Sequence, residues 1–552
     1  MRIRFVFLLF VFLSLAIIGR LFYWQILRGE DLAIAADAQR WIEDRLLGRR
    51  GQLLASDGYP LVQNLPAFVL YADVRLLTEP PEDVAKKLVP LLASASAEAR
   101  LTTLLSTPNA VWVKLTDKLS QETKKRIEES KIEGLFFERT ETRTYPEASM
   151  AAHLLGFVGA DEEGRDKGYY GVEGFYDRSL RGHEGFIRQE KDAKGVPILG
   201  GTYGVEMPEH GRNLSLNIDR AIQFTVESHL QKALDRYGAK AGSVVVMDPE
   251  TGAVLAMAST PSFSPTDWQG FSSDRFANPL VAETYEPGST LKTIIMAAAL
   301  EAGVVKPETV CTHCDGSRSI GGFTIRTWND VYHPNATMID VLKFSDNVGM
   351  VFVGELLGID RLWQAFSSFG FLESTGIDVE GETTSAIRPK DEWRPIDLAT
   401  ASFGQGVAIT PIQMVQGFSV IANGGVLVRP QVVRTEPKRV RRVISEKTAK
   451  TLTQMLVEAV DAGEAKWTRL PGYRIAGKTG TAQIPIAGHY DEEKTIASFI
   501  GFAPADKPKF VMLVTLKEPS SSPWASETAA PLFFDIAKDL LTYYGVPPEE
   551  GR

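Results

Sequence analysis

Ser289 and Lys292 lie one helical turn apart and have side chains that can carry out nucleophilic catalysis together. Pro287 and Gly288 predict a turn, and the apolar run 294–300 predicts a helix that begins near Ser289. Free backbone N–H groups at a helix start stabilise negative charge. An acylating serine needs such donors for its oxyanion and an amine nearby. The pair alone is weak evidence, because Ser-x-x-Lys occurs by chance in many helices.

Two later stretches strengthen the interpretation. Ser345-Asp346-Asn347 follows the amphipathic segment 338–344, and Lys478-Thr479-Gly480-Thr481 follows an apolar approach at 473–477. Ser-x-x-Lys, Ser-x-Asn and Lys-Thr-Gly, in this order, form the motif set of penicillin-recognising serine acyltransferases. The chain therefore resembles the class B penicillin-binding proteins, which are monofunctional peptidoglycan D,D-transpeptidases. Any one of these residues could instead be an ordinary helix cap or a solvated lysine, but the three stretches together favour the family.

The resemblance implies a reaction and roles for four polar residues. The family breaks the terminal D-Ala–D-Ala bond of a peptidoglycan stem peptide and passes the acyl group to a neighbouring amine. Ser289 is then the nucleophile, and Lys292 the base, which must be neutral and so needs burial or a nearby cation. Ser345 can relay a proton to the leaving amine. Asn347 can orient Lys292 or hydrogen-bond the substrate amide.

The stretch that begins at Lys478 is predicted to be an edge strand that holds the substrate. Thr479 and Thr481 share one face by alternation, so both hydroxyls can meet the terminal carboxylate of the substrate. Lys478 supplies positive charge and can contact Ser345. Gly480 lets the substrate backbone approach closely. The amides of Ser289 and Thr481 are expected to form the oxyanion hole, and no cofactor is expected.

Three more stretches are similar to the family, namely 285–289, 402–406 and 497–504. One residue departs from it. Asp346 stands where class B transpeptidases commonly have serine, whereas Ser-Asp-Asn is the pattern of class A β-lactamases. The departure leaves the mechanism intact and bears on substrate detail.

Cys311 and Cys314 are the two cysteines of the chain. A disulfide is the leading interpretation outside the cytoplasm. A zinc site is the alternative, with His313 and either Asp315 or His333 completing the ligands, although a second ligand pair is not evident. Free thiols remain a third possibility.

The N-terminal sequence predicts a membrane anchor. Arg2 and Arg4 precede an uncharged apolar run, 5–18, which reaches spanning length through Leu27 if Arg20 extends to the interface. An uncleaved anchor is favoured over a cleaved signal, with the N-terminus cytoplasmic by the positive-inside rule and the rest of the chain outside. We therefore expect a single-pass protein of the plasma (inner) membrane.

The 552 residues are long enough for several domains, and 44% hydrophobic with 23% charged residues is typical of a folded protein. A net charge of −9 without a long basic block argues against nucleic-acid binding. We predict an α+β multidomain fold with a cytoplasmic tip and anchor at 1–27, a membrane-proximal pedestal at 28–207 and a transpeptidase domain at 208–552. The resemblance implies an antiparallel sheet covered by helices, with a helical subdomain inserted.

The resemblance also implies partners and leaves competing functions open. Stem peptides and their lipid-linked precursor are the expected substrates, β-lactams the covalent inhibitors, and a separate glycosyltransferase and division-complex proteins the protein partners. The segments 345–349 and 403–407 are nearest to septal, cell-division members, but an elongation-type transpeptidase remains possible. A β-lactamase or D,D-carboxypeptidase would need a positioned base for deacylation, which the sequence does not identify. A non-catalytic sensor or scaffold is the third alternative.

Overall fold

The computed structural model describes residues 2–46, 48–92, 97–108, 110–192, 198, 201, 203–486 and 489–549. The α-helices are α1 (Arg2–Phe22), α2 (Gly29–Arg40), α3 (Pro81–Leu92), α4 (Ala97–Leu105), α5 (Gln121–Glu129), α6 (Ala152–Leu155), α7 (Gly171–Phe175), α8 (Asp177–Arg181), α9 (Arg220–Tyr237), α10 (Pro279–Ala282), α11 (Lys292–Glu301), α12 (Met338–Lys343), α13 (Asn347–Ser368), α14 (Pro395–Ala401), α15 (Pro411–Ala422), α16 (Glu446–Ala462) and α17 (Ala529–Tyr543).

The strands are β1 (Trp41–Leu46), β2 (Leu53–Leu54), β3 (Pro60–Asp73), β4 (Trp112–Leu119), β5 (Leu135–Thr144), β6 (Phe157–Ala160), β7 (Asp166–Tyr169), β8 (Gly185–Glu190), β9 (Tyr203–Glu206), β10 (Leu214–Ser215), β11 (Ala241–Met247), β12 (Val254–Thr260), β13 (Arg318–Ile320), β14 (Phe323–Ile325), β15 (Ala386–Ile387), β16 (Val407–Ala408), β17 (Val426–Val428), β18 (Arg439–Arg442), β19 (Ala476–Ile486), β20 (His489–Ala503) and β21 (Phe510–Lys517). The predicted α+β class is confirmed.

The chain forms two compact units, one of residues 1–51 and 178–212 and the other of residues 52–177 and 213–552. The first unit contains α1, which continues as a π-helical segment, Tyr23–Leu27, and a three-stranded sheet in the order β1-β8-β9. Residues 2–27 form a helix that is long and apolar enough to cross a membrane. The Arg20 guanidinium lies over the Trp24 ring, 5.3 Å from its centroid, which suits residues at a membrane interface.

The second unit begins with a five-stranded sheet in the order β10-β2-β3-β4, in which β5 also pairs with β3. Asp57 and Gly58 form the predicted turn between β2 and β3, whose pairing aligns Leu53 with Val62. Apolar residues of β3 and β4 pack against α3, α4 and α5 in a core of their own. This part therefore buries its own core.

The same unit contains a five-stranded antiparallel sheet in the order β12-β11-β21-β20-β19. Residues 244–247 of β11 are apolar and buried, because both faces of the sheet are covered there. Val244 and Val246 lie in a cluster with α9 and α17, and α15 lies against β21 and β11. Strand β19, which carries Lys478 to Thr481, lies at the edge of this sheet, as predicted.

Helices α10 to α16 lie between β12 and β19 along the chain, as the predicted helical insertion requires. A capping box at Thr337 begins α12, and the Asp346 carboxylate caps α13 by accepting a hydrogen bond from the Gly349 amide at 3.0 Å. The short turn between α12 and α13 therefore has a fixed position, and it carries Ser345.

Candidate active site

Ser289 lies in a single 3₁₀ turn, Gly288–Thr290, directly before α11. The turn is held by close backbone packing. Gly404 has a φ of +86° and lies so near Gly288 that a Cβ there would be 2.0 Å from the Gly288 carbonyl oxygen. The Gly288 amide donates to the Gly404 carbonyl at 3.1 Å. The 402–406 stretch, which sequence alone marked only as a family likeness, thus supports the serine.

The Lys292 ammonium group is fully buried and is held by uncharged oxygens. Its Nζ donates to the Ser345 carbonyl at 2.6 Å, to Asn347 Oδ1 at 2.8 Å and to Ser345 Oγ at 3.3 Å. Burial is the main cause that lowers the pKa of Lys292 to about 7, and the charge of Lys478 lowers it further. A large share of Lys292 is therefore neutral at physiological pH.

Ser345 connects the lysine to the nucleophile. Its Oγ lies 2.9 Å from Ser289 Oγ, and at this distance either hydroxyl can be the donor. Ser345 has a φ of +55°, a left-handed conformation that a non-glycine residue seldom adopts. In this conformation both its carbonyl and its hydroxyl reach Lys292. The link between Lys292 and Ser289 thus runs through the Ser345 hydroxyl.

Asn347 and Asp346 have different tasks. Asn347 orients Lys292 through Oδ1, and its Nδ2 donates to the Arg326 carbonyl at 3.0 Å, which fixes the amide. Asp346 is 1% exposed and caps α13. The residue that departs from the family pattern therefore serves as the N-cap of α13.

Lys478 is almost fully buried, and its Nζ donates to Thr479 Oγ1 at 3.0 Å. Burial lowers the pKa of Lys478, and the nearby Glu464 carboxylate opposes that effect. The expected contact between Lys478 and Ser345 is not among the hydrogen bonds of the described residues. The Lys478 ammonium group instead lies 4.0 Å from Glu464 Oε2.

Thr479 and Thr481 both line the cavity beside Ser289, in keeping with their shared face. Thr479 Oγ1 donates to Glu464 Oε2 at 2.7 Å, and Thr481 Oγ1 accepts from the Ala525 amide at 3.0 Å. Gly480 has a packing role in addition to the predicted one. A Cβ there would lie 2.8 Å from Thr290 Cγ2 and 2.9 Å from the Pro287 carbonyl oxygen, so glycine permits β19 to pack on the serine turn.

The cavity has a volume of about 80 Å³ and collects residues from every motif. It also contains side chains to which sequence reasoning gave no role. Its lining consists of Gly288, Ser289, Trp328, Ser345, Asn347, Phe403, Gln405, Glu464, Thr479, Thr481, Trp524 and Ser526. The two tryptophans and Glu464 lie outside the three motifs, and no spacing in the sequence marks them.

Cys311 and Cys314 form a disulfide and are both buried. The zinc alternative at Cys311, His313 and Cys314 is wrong, because the two sulfurs bond to each other and leave no thiolate for a metal. Across the described ranges, no other cluster of three His, Cys, Asp or Glu side chains could hold a metal ion.

Comparison with protein families gives two matches along the chain. Residues 242–539 match the penicillin-binding protein transpeptidase domain, and residues 45–216 match the penicillin-binding protein dimerisation domain. The chain is 34% identical over 571 residues to stage V sporulation protein D of Bacillus subtilis, covering 100% of this chain and 87% of the relative. It is 27% identical over 552 residues to the peptidoglycan D,D-transpeptidase FtsI of Escherichia coli, covering 98% and 91% of the two chains.

Solved structures of related proteins also superpose on this chain. A peptidoglycan synthetase from Bifidobacterium adolescentis superposes with a TM-score of 0.74 at 26% identity, covering 93% of this chain and 98% of that one. Penicillin-binding protein 3 from Mycobacterium tuberculosis in complex with aztreonam gives a TM-score of 0.70 at 27% identity, covering 92% and 98%. With the serine turn, the buried lysine and the edge strand arranged in one cavity, these matches show that the chain belongs to the penicillin-binding protein transpeptidase family.

Proposed function

We propose that this chain is a peptidoglycan D,D-transpeptidase that joins stem peptides through an acyl-enzyme on Ser289. The observation that carries the proposal is the buried lysine at the centre of the site. Lys292 has uncharged hydrogen-bond partners and a pKa lowered to about 7, and Ser345 connects it to Ser289. A neutral amine within reach of a serine hydroxyl is what acyl transfer at neutral pH requires. The FtsI relative, named as a D,D-transpeptidase, supports the same reaction.

In acylation, Ser289 Oγ forms a bond to the carbonyl carbon of the penultimate D-Ala, and the bond from that carbon to the terminal D-Ala nitrogen breaks. The Ser289 proton passes to Ser345 Oγ while the Ser345 proton passes to Lys292 Nζ. Lys292 then returns a proton along the same path to the leaving amine, which departs with the terminal D-Ala. Asn347 keeps Lys292 in position during both transfers.

The edge strand holds the donor peptide. Thr481 binds the terminal carboxylate, and Thr479 joins it when its hydroxyl turns from Glu464 Oε2 to the substrate. The positive charge of Lys478 attracts the same carboxylate. The backbone amides of Ser289 and Thr481 donate to the oxyanion, a contribution of about 3–4 kcal/mol for each donor in other enzymes. A β-lactam has a carboxylate and an acyl carbon in a similar arrangement, so it acylates Ser289 as well.

We also propose the finer assignments that the resemblance suggests. The divisions are a cytoplasmic tip and anchor at 1–27, a pedestal at 28–207 and a transpeptidase domain at 208–552. The N-terminus lies on the cytoplasmic side of the plasma (inner) membrane, and the bulk of the chain lies outside. The septal role rests on the segments 345–349 and 403–407 and implies division proteins and a separate glycosyltransferase as partners. A fluorescent fusion that collects at the division site would support this role, and one spread along the sidewall would favour the elongation type.

The direct test of the reaction is the intact mass of the full chain in detergent, followed over hours after mixing with a penicillin. We expect an adduct on the wild-type chain that lasts for hours, and none on Ser289→Ala. Ser526→Ala, which alters another serine of the cavity, is the matched control and should still acylate. A wild-type adduct that clears within minutes would indicate a β-lactamase, and no adduct at all would leave a non-catalytic scaffold.

A further inference from the structure

Glu464 is a carboxylate in the active-site cavity to which the reaction above gives no task. It follows Gly463 at the end of α16. A Cβ at Gly463 would lie 2.1 Å from the Ala459 carbonyl oxygen and 2.8 Å from that of Lys343. The backbone is therefore tightly packed there, and this packing fixes the position from which Glu464 extends.

The two oxygens of the Glu464 carboxylate differ in their hydrogen bonding. Oε2 accepts the hydrogen bond from Thr479 Oγ1 at 2.7 Å and lies 4.0 Å from Lys478 Nζ. Oε1 accepts no hydrogen bond from the residues that the structure describes. The side chain is 19% exposed. A negatively charged group with a free acceptor thus faces the space beside Ser289.

Two exposed aromatic rings line the same cavity. Trp328 and Trp524 are 44% and 38% exposed, and their ring centroids lie 5.0 Å apart in an edge-to-face arrangement. Tryptophan faces attract ammonium groups, most strongly where water is partly excluded. A carboxylate together with aromatic faces is a suitable environment for a primary ammonium ion and a poor one for a second carboxylate.

We propose that Glu464, Trp328 and Trp524 bind the ammonium group of the acceptor peptide, a site that rests on the proposed transpeptidase function. The donor carboxylate and Glu464 repel each other while both lie near Thr479. The terminal D-Ala takes its carboxylate away when the acyl-enzyme forms. The cavity then holds the Glu464 carboxylate, with Lys478 Nζ 4.0 Å from its Oε2, and no competing anion. The open Oε1 is then available to the acceptor ammonium group, so the acceptor binds after acylation.

The transfer step balances with Glu464 in this position. The bound ammonium gives one proton to the Glu464 carboxylate, which releases it to water. The neutral nitrogen forms a bond to the acyl carbon, and the bond from that carbon to Ser289 Oγ breaks. The second proton of the nitrogen passes through Ser345 to Lys292, which returns a proton through Ser345 to Ser289 Oγ. The products are a peptide bond, a free serine and one proton in solution.

The test separates acceptor binding from acylation. The full chain in detergent is acylated by a thioester analogue of the donor, and the acyl-enzyme is offered D-alaninamide, which is largely an ammonium ion at pH 7, or hydroxylamine, which is uncharged. We expect Glu464→Gln to form the acyl-enzyme at nearly the wild-type rate. It should lose about tenfold or more in transfer to D-alaninamide and little in transfer to hydroxylamine.

Matched variants make the result specific. Glu464→Asp keeps the charge and should recover part of the transfer to D-alaninamide. Glu458→Gln removes an exposed charge from α16 and should change nothing. Trp524→Leu tests the site independently if Glu464→Gln does not fold, and we expect a loss of a few fold for D-alaninamide alone.

Each contrary outcome has its own meaning. Equal loss for both acceptors, or no loss, would overturn the ammonium site. A loss of acylation itself would show that Glu464 acts only by holding Thr479 and Lys478, and a slower hydrolysis alone would make it a base for water. If the wild-type chain forms no acyl-enzyme, the proposed function fails instead.

Discussion

Two buried cations in this chain have hydrogen-bond partners of opposite kinds. Arg143, on β5, forms an ion pair with Glu173 of α7 at 2.7 Å, and the two side chains are 5% and 0% exposed. Lys292, on α11, is equally buried, but its hydrogen bonds go to a carbonyl, a hydroxyl and an amide. The first cation has a carboxylate in contact, and the second has only neutral partners.

The difference shows how the same burial can serve folding in one place and catalysis in another. A buried ion pair keeps both charges because each stabilises the other, and breaking it leaves an isolated charge. A buried lysine with neutral partners keeps the desolvation penalty of its charge, so its pKa falls, here to about 7. The carboxylates of Glu464 and Asp346 act on Lys292 from a distance and only partly oppose this effect.

The largest expected effect comes from removing the buried amine. Lys292→Met keeps most of the side-chain volume and removes the base, so the rate of acylation by penicillin should fall by about 10²–10⁴-fold. Stopped-flow or intact-mass kinetics would measure it. Lys447→Met removes an exposed lysine from α16 and should leave the rate unchanged. A loss below tenfold for Lys292→Met would mean that another group is the base.

Breaking the ion pair between Arg143 and Glu173 should lower stability and leave the acylation rate unchanged. Glu173→Gln leaves Arg143 buried without its carboxylate, so we expect a loss of about 3–5 kcal/mol in the free energy of unfolding. Thermal melting in detergent would show it as a lower Tm, while the acylation rate per folded molecule stays at the wild-type value. The exposed Glu138→Gln, near Arg143 on β5, is the control and should change the Tm little. An unchanged Tm for Glu173→Gln would show that this ion pair does not stabilise the fold.

Ser345 has two roles at Lys292, because it holds the lysine and also relays its proton. Ser345→Ala and Ser345→Gly both remove the hydroxyl, and both should lower acylation by about 10²-fold. Their stabilities should differ, since glycine accepts the φ of +55° without strain, and we expect Ser345→Gly to be more stable than Ser345→Ala by about 1 kcal/mol. Acylation at the wild-type rate in either variant would exclude a relay through Ser345.

The α+β fold class and the edge position of β19 were both predicted and are confirmed. Local patterns predicted the helices and strands, whereas the topology of the sheet came from the family resemblance. Alternation fixed the shared face of Thr479 and Thr481, and the turn at Pro287 and Gly288 placed Ser289 ahead of a helix. The need for a neutral Lys292 was also predicted from the chemistry, and burial is the cause that the structure gives.

The remaining details depend on contacts between distant parts of the chain. Strand β19 packs against the serine turn, where Gly480 lies, and against the end of α16, where Glu464 lies near the Lys478 ammonium group. Glu464, Trp328 and Trp524 reach the cavity from three separate loops. Motif spacing describes one segment at a time, so it gives no signal for residues brought together by tertiary packing.

The most direct test of the account is the protonation state of Lys292 in the folded chain. Because acylation requires the neutral amine, and the pKa of Lys292 is lowered to about 7, the rate of acylation should rise with pH through about 7 and then level off. NMR of the full chain with isotopically labelled lysine, assigned with Lys292→Met, should show one lysine that titrates in the same range. A Lys292 signal that stays charged up to about pH 10, the ordinary range for lysine, would contradict the account.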